Sequence, residues 1–189
     1  MLKPISLGLR VLQFLMALTI LALAVDLIRK QVIGSAPVTT RYTTFTGGFG
    51  MIVCGVTIAS FFLSFLPGVV AMGLDALAGL LFLGGGIALA HALRNVDNCT
   101  NGDNMLLNPL LNRGTVEVGR TTHYGIVEEG DADNPTRLYF RLRGSCQRAQ
   151  AAEILQFLSF GVLTALAVAG FWMMRQGGGG GTRRGAYVA

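Results

Sequence analysis

The sequence predicts an all-α membrane protein, a four-helix transmembrane bundle with a long outer loop between its third and fourth helices. Three observations carry this. The chain of 189 residues is 52% hydrophobic and 13% charged, with a mean hydropathy of +0.56, whereas a soluble domain is about 25% charged. Its apolar residues gather into four runs, 9–28, 44–66, 69–93 and 151–174, each as long as the roughly 20 residues a helix needs to cross a ~30 Å hydrocarbon core. Of its 15 basic and 10 acidic residues, only Arg10, Asp26, Asp75 and Glu153 fall within those runs. In lipid every backbone polar group must be paired internally, so clean runs of this length read as spanning helices. The same composition excludes an ordinary soluble enzyme and a disordered or nucleic-acid-binding tail protein.

Residues 1–8 form a short N-terminus. Span 1 carries Gln13 and Asp26 and is flanked by Arg10 and Arg29. A cleaved secretory signal would place small residues after a short core. Asp26, Leu27, Ile28, Arg29 and Lys30 stand there instead, so the segment reads as a retained span. Span 2 contains Cys54, expected as a small apolar packing residue. Pro67 and Gly68 form a turn dipeptide that makes spans 2 and 3 an antiparallel hairpin. On span 3, Ala71, Asp75, Ala78 or Gly79, Gly86 and Ala90 recur at helical spacing. Such small-residue faces pack helices closely in lipid, either within the bundle or against a second copy or partner. Gly84, Gly85 and Gly86 are expected to loosen this helix, because each interior glycine costs about 1 kcal/mol. After span 4, residues 175–189 form a tail. Glycines 177–181 cannot hold a helix, so this reads as a flexible leash whose Arg183 and Arg184 reach anionic lipid.

The loop 94–150 contains Cys99 and Cys146, close to the ends of spans 3 and 4. A bond between them would tie the two helix ends together and stabilise by about 2–4 kcal/mol in an oxidising compartment. The alternative is two free thiols in a cytosolic loop. If they are bonded, the loop lies outside and the termini are cytosolic. The Lys/Arg count opposes this orientation. Lys3, Arg10, Arg175, Arg183 and Arg184 lie on the terminal side; Arg29, Lys30, Arg41 and seven loop arginines lie on the other. Those seven are matched by seven acids, however, and the loop approaches the length at which the rule fades. Within the loop, runs 115–118 and 138–142 look β-like and suggest a small hairpin on the membrane surface. The stretch 128–135 between them is acidic and turn-rich. Asn98-Cys99-Thr100 fits the glycosylation acceptor pattern, whereas Pro135 excludes Asn134.

Intramembrane charges are functional hypotheses by default. Arg10 and Asp75 lie at the same end of their spans and would neutralise each other, with Gln13 assisting. At the opposite end Asp26, His91 and Glu153 sit at similar depths. They read either as a proton- or metal-responsive cluster or as interfacial side chains, with Asp26 satisfied by Arg29 or Lys30 one turn on. The chain has no P-loop, G-x-S-x-G, H-E-x-x-H or paired-cysteine zinc pattern. His123 stands in the loop without an obvious partner. Nothing nominates a catalytic residue, a cofactor, a metal or a nucleic-acid-binding face.

Three groups of residues point to a family: Arg10-Val-Leu-Gln-Phe14 opening span 1, with Asp26 near its end; Leu74-Asp-Ala-Leu77 followed by Gly84-Gly-Gly-Ile-Ala-Leu-Ala90 on span 3; and Cys99 with Cys146-Gln-Arg-Ala-Gln-Ala-Ala152 opening span 4. In these the chain resembles MARVEL-domain proteins over residues 7–175, and most of all the fungal branch of non-classical export and eisosome-organising proteins. The resemblance implies a four-helix transmembrane bundle with cytosolic termini and a Cys99–Cys146 disulfide closing the outer loop between helices 3 and 4. It also implies no catalytic activity, and a role in membrane apposition, vesicle trafficking or lateral organisation of the plasma membrane. Tetraspanins share the loop placement but need more cysteines and a Cys-Cys-Gly motif. The expected function is a non-enzymatic membrane organiser in the plasma or secretory-pathway membrane. Its expected partners are lipids and other membrane proteins, or itself, through small-residue helix faces. The alternatives are an accessory subunit of a larger complex, or a small channel or proton-coupled transporter subunit using Asp75, or Asp26 with Glu153. A transporter would want a broken helix, for which Gly84–Gly86 is the candidate.

Overall fold

A computed structural model describes residues 2–63, 67–96, 99–118, 120–127 and 135–177. The chain forms helices α1 (Leu2–Arg29), α2 (Val38–Leu63) and α3 (Gly68–Leu93), a short helix α4 (Gly102–Leu107), a hairpin of β1 (Thr115–Val118) and β2 (Thr121–Tyr124), and a long helix α5 (Pro135–Gly177). Four stretches are long and apolar enough to cross a membrane: Ser6–Arg29, Val38–Ser60, Gly68–Leu93 and Pro135–Trp172. The fold is therefore the expected four-helix membrane bundle.

Local chemistry explains where the helices begin. α2 starts ahead of its apolar run, directly after Pro37, whose carbonyl accepts from the Thr40 and Arg41 amides at 3.0 and 3.2 Å, and its threonine hydroxyls find acceptors on their own helix. Thr43 donates to the Thr39 carbonyl at 2.9 Å and Thr44 to that of Thr40 at 3.0 Å. Deeper in, Thr57 donates to the Val53 carbonyl at 2.9 Å. None of these hydroxyls is left unpaired in lipid. α3 follows the Pro67 turn, and the amides of Val70 and Ala71 bond the Pro67 carbonyl at 3.0 and 3.2 Å.

α3 runs unbroken through Gly84, Gly85 and Gly86, contrary to the expected loosening. Side chains of neighbouring helices take the space those glycines leave: Tyr42, Gln156 and Phe157 lie against them in turn. A packed glycine loses no solvent-exposed backbone, which removes much of its usual penalty.

The largest difference from expectation is at α5. It starts at Pro135, not at the apolar run, and its 43 residues make it about 64 Å long, twice the hydrocarbon core. Residues 135–150 therefore project beyond the membrane as helix. The strand expected at 138–142 does not form. Leu138 and Leu142 lie one turn apart and continue through Cys146 and Ala149 as a single packed face, which is a helical period rather than an alternation. The hairpin is built instead from β1 and β2, antiparallel, with Thr115 opposite Tyr124 and Val118 opposite Thr121.

Two cores result. Within the bundle, Ala17, Ile20, Val53, Ala78, Phe82 and Leu163 pack together. Above its end lies a second core, in which Leu89 and Leu93 of α3 meet Met105, Leu111 and Ile126 of the connecting segment and Leu142 of α5. The outer segment is thus a folded cap. Its hub is the fully buried Asn112. The Asn112 amide donates at 2.8 Å to both the Leu106 carbonyl and the Thr115 hydroxyl, and its side-chain oxygen accepts from the Gly114 amide at 3.0 Å.

The cap is clipped to the α1–α2 connection. The amides of Val32 and Ile33 donate to the Arg113 carbonyl at 2.9 and 3.1 Å. The next residue, Gly114, has φ +106°, and a Cβ there would lie 1.9 Å from the Ile33 carbonyl oxygen. A side chain fits neither the backbone angle nor the space. Gly114→Ala is therefore expected to open this clip, at a cost above about 1 kcal/mol. Amide exchange at Val32 and Ile33 should accelerate while the helices stay protected. Unchanged exchange at both would show that the clip does not hold the cap.

Candidate functional site

The buried charges lie where α1 and α3 meet. Asp75, in the second turn of α3, is fully buried and Arg10 of α1 is 8% exposed. Arg10 grips the carboxylate with both terminal nitrogens: Nη2 donates to Oδ2 at 2.6 Å and Nη1 to Oδ1. This bidentate geometry is the strong form of a charged hydrogen bond. In a membrane interior neither charge is tolerated alone, so each residue makes the other admissible.

Gln13 does not assist the pair. It is fully buried one turn along α1, and neither its amide nitrogen nor its oxygen has a hydrogen-bond partner. Two further buried groups on α5 share this state, the amide of Gln156 and the hydroxyl of Ser159. Gly85 admits Gln156, since a Cβ at that glycine would lie 1.7 Å from Gln156 Oε1. Sequence reasoning missed Gln156. Its signal was a lone amide inside an apolar run.

At the opposite end of α1, Asp26 accepts from Lys30 Nζ at 2.7 Å and lies 3.3 Å from Arg148 Nε. His91 is exposed at the end of α3, and Glu153 is partly buried on α5. Among the described residues, no three His, Cys, Asp or Glu side chains come together as metal ligands. Of the two readings of Asp26, His91 and Glu153, the interfacial one fits Asp26, which pairs with Lys30 one turn on and lies near Arg148 of α5. His123 lies exposed on β2, with its Nε2 3.3 Å from the Thr121 hydroxyl.

The small residues of the expected α3 face pack within the chain, whereas Gly48, Gly55, Gly73 and Gly161 face open space. α3 lies chiefly against α5, and α1 against α2. Ala71, Asp75, Ala78, Gly79 and Gly86 are all buried. A Cβ at Gly79 would touch Leu163 at 3.6 Å, and one at Gly47 on α2 would lie 2.8 Å from the backbone of Leu21 on α1. The expected face of α3 is thus covered by the chain itself, so it is not available to a second copy or partner. Cys99 and Cys146 form a disulfide, with Cα atoms 5.8 Å apart. Both are buried in the cap core, and they tie the cap to α5. Cys54 is free and buried.

One assembly has no counterpart in the sequence reading. Lys30 from the end of α1, Arg113 from the cap, and Arg137, Arg141 and Arg148 from α5 line a groove of about 710 Å³, together with Thr136, Phe140 and Gly144. The arginines of α5 are spaced four and seven residues apart and share a face of the helix. Reading 135–150 as loop concealed that face. Asn98, the acidic stretch 128–134 and the tail beyond 177 lie outside the described residues.

No curated protein and no solved structure matches the chain. A family model described as a membrane-associating domain, MARVEL, matches residues 3–169. That match takes in α1, α2, α3, the cap and most of α5. The chain accordingly belongs to the MARVEL family of membrane-associating domains and is an integral membrane protein.

Proposed function

We propose that the protein is a non-enzymatic organiser of membranes, acting in membrane apposition, lateral domain organisation or vesicle trafficking, as the likeness to the fungal export and eisosome-organising branch suggests. It sits in the plasma membrane or the secretory pathway, with cytosolic termini and the cap on the exoplasmic or luminal side. The observation that supports this reading is that both acids at the two ends of α1's packing and both outer cysteines are engaged in structure. Asp75 is held by Arg10, Asp26 by Lys30 and Arg148, and Cys99 by Cys146. What faces outward from the bundle is apolar, such as Leu15, Ile52, Leu80 and Ile154. Near the terminal end of α5, Arg175 lies over the Phe171 ring at 4.9 Å beside the exposed Trp172, the pairing of aromatic and cation that marks a membrane boundary. A bundle with this profile acts through what surrounds it.

The test is imaging of a fluorescently tagged chain in the membrane where it resides, with and without the untagged protein. The proposal expects the chain in slow-moving patches, and expects its removal to disperse them or to alter membrane contacts or vesicle traffic. A uniform, freely diffusing chain whose removal changes none of these would contradict it.

A further inference from the structure

Gln156 and Ser159 stand three residues apart on one face of α5, and both are fully buried. Neither amide atom of Gln156 and not the hydroxyl of Ser159 has a hydrogen-bond partner among the described residues. Along α5 they lie about 12 and 16 Å beyond Arg148, which approaches Asp26 in the last turn of the α1 span. That depth is inside the hydrocarbon core. Lipid offers no donor or acceptor there, so a buried amide left dry is strongly penalised.

The surroundings of the amide are small and bare. A helical side chain leans over the turn before it. For Gln156 that turn carries Ala152, which is also buried. Facing the amide is Gly85 of α3, where an added Cβ would lie 1.7 Å from Oε1 and 2.9 Å from Nε2. Glycines 84–86 leave the α3 backbone without side chains at this level. A carbonyl of this stretch is open to another helix, since the Tyr42 hydroxyl donates to the Leu81 carbonyl at 3.3 Å. Each carbonyl oxygen can accept twice.

The unmet groups define what would meet them. Oε1 needs a donor, Nε2 needs an acceptor, and the Ser159 hydroxyl takes either role. An anion would suit Nε2 and oppose Oε1, and a cation would do the reverse. Either would also carry its charge into the membrane. A neutral molecule that both donates and accepts satisfies all three atoms, and the enclosure of both side chains limits its size to that of water. Buried waters typically make about three bonds to polar groups that have no other partner. We propose that Gln156 and Ser159 bind an internal water that joins α5 to the bare backbone of α3 at Gly85.

The test uses the full chain in lipid bilayers, with its glutamine side chains labelled with 15N. Solid-state NMR reads magnetisation transfer from water to each side-chain amide, and the Gln156 signal is identified by its loss in Gln156→Met. Transfer should reach Gln156 despite its depth. It should fall severalfold in Ser159→Ala, which removes one partner of the water. Ser60→Ala removes a buried hydroxyl that already donates to the Thr57 carbonyl at 2.8 Å, and should leave the transfer unchanged. Melting in detergent gives a second reading, with a sign. Ser159→Ala should melt below the native protein, because the water loses a bond. A dry hydroxyl would give the opposite sign, since its removal relieves a buried unpaired group. Retention of the Cys99–Cys146 bond in each variant confirms the fold. A Gln156 amide that receives no transfer, transfer unchanged by Ser159→Ala, an equal loss in Ser60→Ala, or a Ser159→Ala melting temperature equal to or above the native one would each overturn the proposal.

Discussion

Asp75→Asn is expected to unfold the bundle at temperatures the native protein withstands. The change keeps the side chain's shape and removes its charge, which takes from the buried Arg10 guanidinium the carboxylate it grips. Breaking a buried pair from one side costs about 3–5 kcal/mol, a large share of a typical domain's total stability of about 5–15 kcal/mol. The double variant Arg10→Met/Asp75→Leu removes both charges at similar volume and should recover most of the loss, since apolar replacement of a buried pair is often neutral or stabilising. Melting of detergent-solubilised protein, followed by size-exclusion profile, separates the outcomes. If Asp75→Asn melts with the native protein, or if the double variant is no better than the single, the pair does not hold α1 to α3. The same experiment bears on the transporter alternative. A transport carboxylate must be reachable, and Asp75 is fully buried in a bidentate grip on an unbroken helix.

Cys146→Ser should leave all four helices inserted and loosen the cap. The disulfide closes 47 residues of chain, and losing a closure of that kind costs about 2–4 kcal/mol. Inside the cap core the change also leaves two unpaired polarizable groups, the serine hydroxyl and the Cys99 thiol, where the sulfurs had packed with Met105, Leu142 and Ala149. The cap should become sensitive to added protease, and reductant should have the same effect on the native protein. Equal protease resistance of the cap in the variant, the reduced and the oxidised protein would show that its core and the Gly114 clip suffice without the bond.

The parts of this molecule that were legible in the sequence are those the bilayer itself dictates. Four spans stand out because lipid forbids charge over about 20 residues, and Arg10 and Asp75 pair because neither could be buried alone. The cap was not legible, because its order comes from contacts distant in sequence. Asn112 has the appearance of any polar loop residue until Leu106, Gly114 and Thr115 surround it. The start of α5 did carry a signal: Pro135 is its first residue, a position proline favours. The alternation of Leu138, Phe140 and Leu142 obscured it: Leu138 and Leu142, four apart, pack as one helical face, and the exposed Phe140 between them completes a false period of two. The groove was hidden for the same reason, as its arginines converge only once 135–150 is a helix. Gln13 stands one turn from Arg10 along α1, but its amide has no hydrogen-bond partner, so nearness along the helix does not bring it into the pair.

The arrangement of cap, disulfide and membrane can be tested in one measurement. A protease recognition site inserted after Gly130 lies between Cys99 and Cys146 in the chain. In sealed cells that carry the chain at their surface, externally added protease should cut it. The two fragments should migrate together without reductant and separate with it, because the Cys99–Cys146 bond joins them. Cleavage only after permeabilisation, or fragments that part without reductant, would contradict the exoplasmic, disulfide-clamped cap on which the account depends.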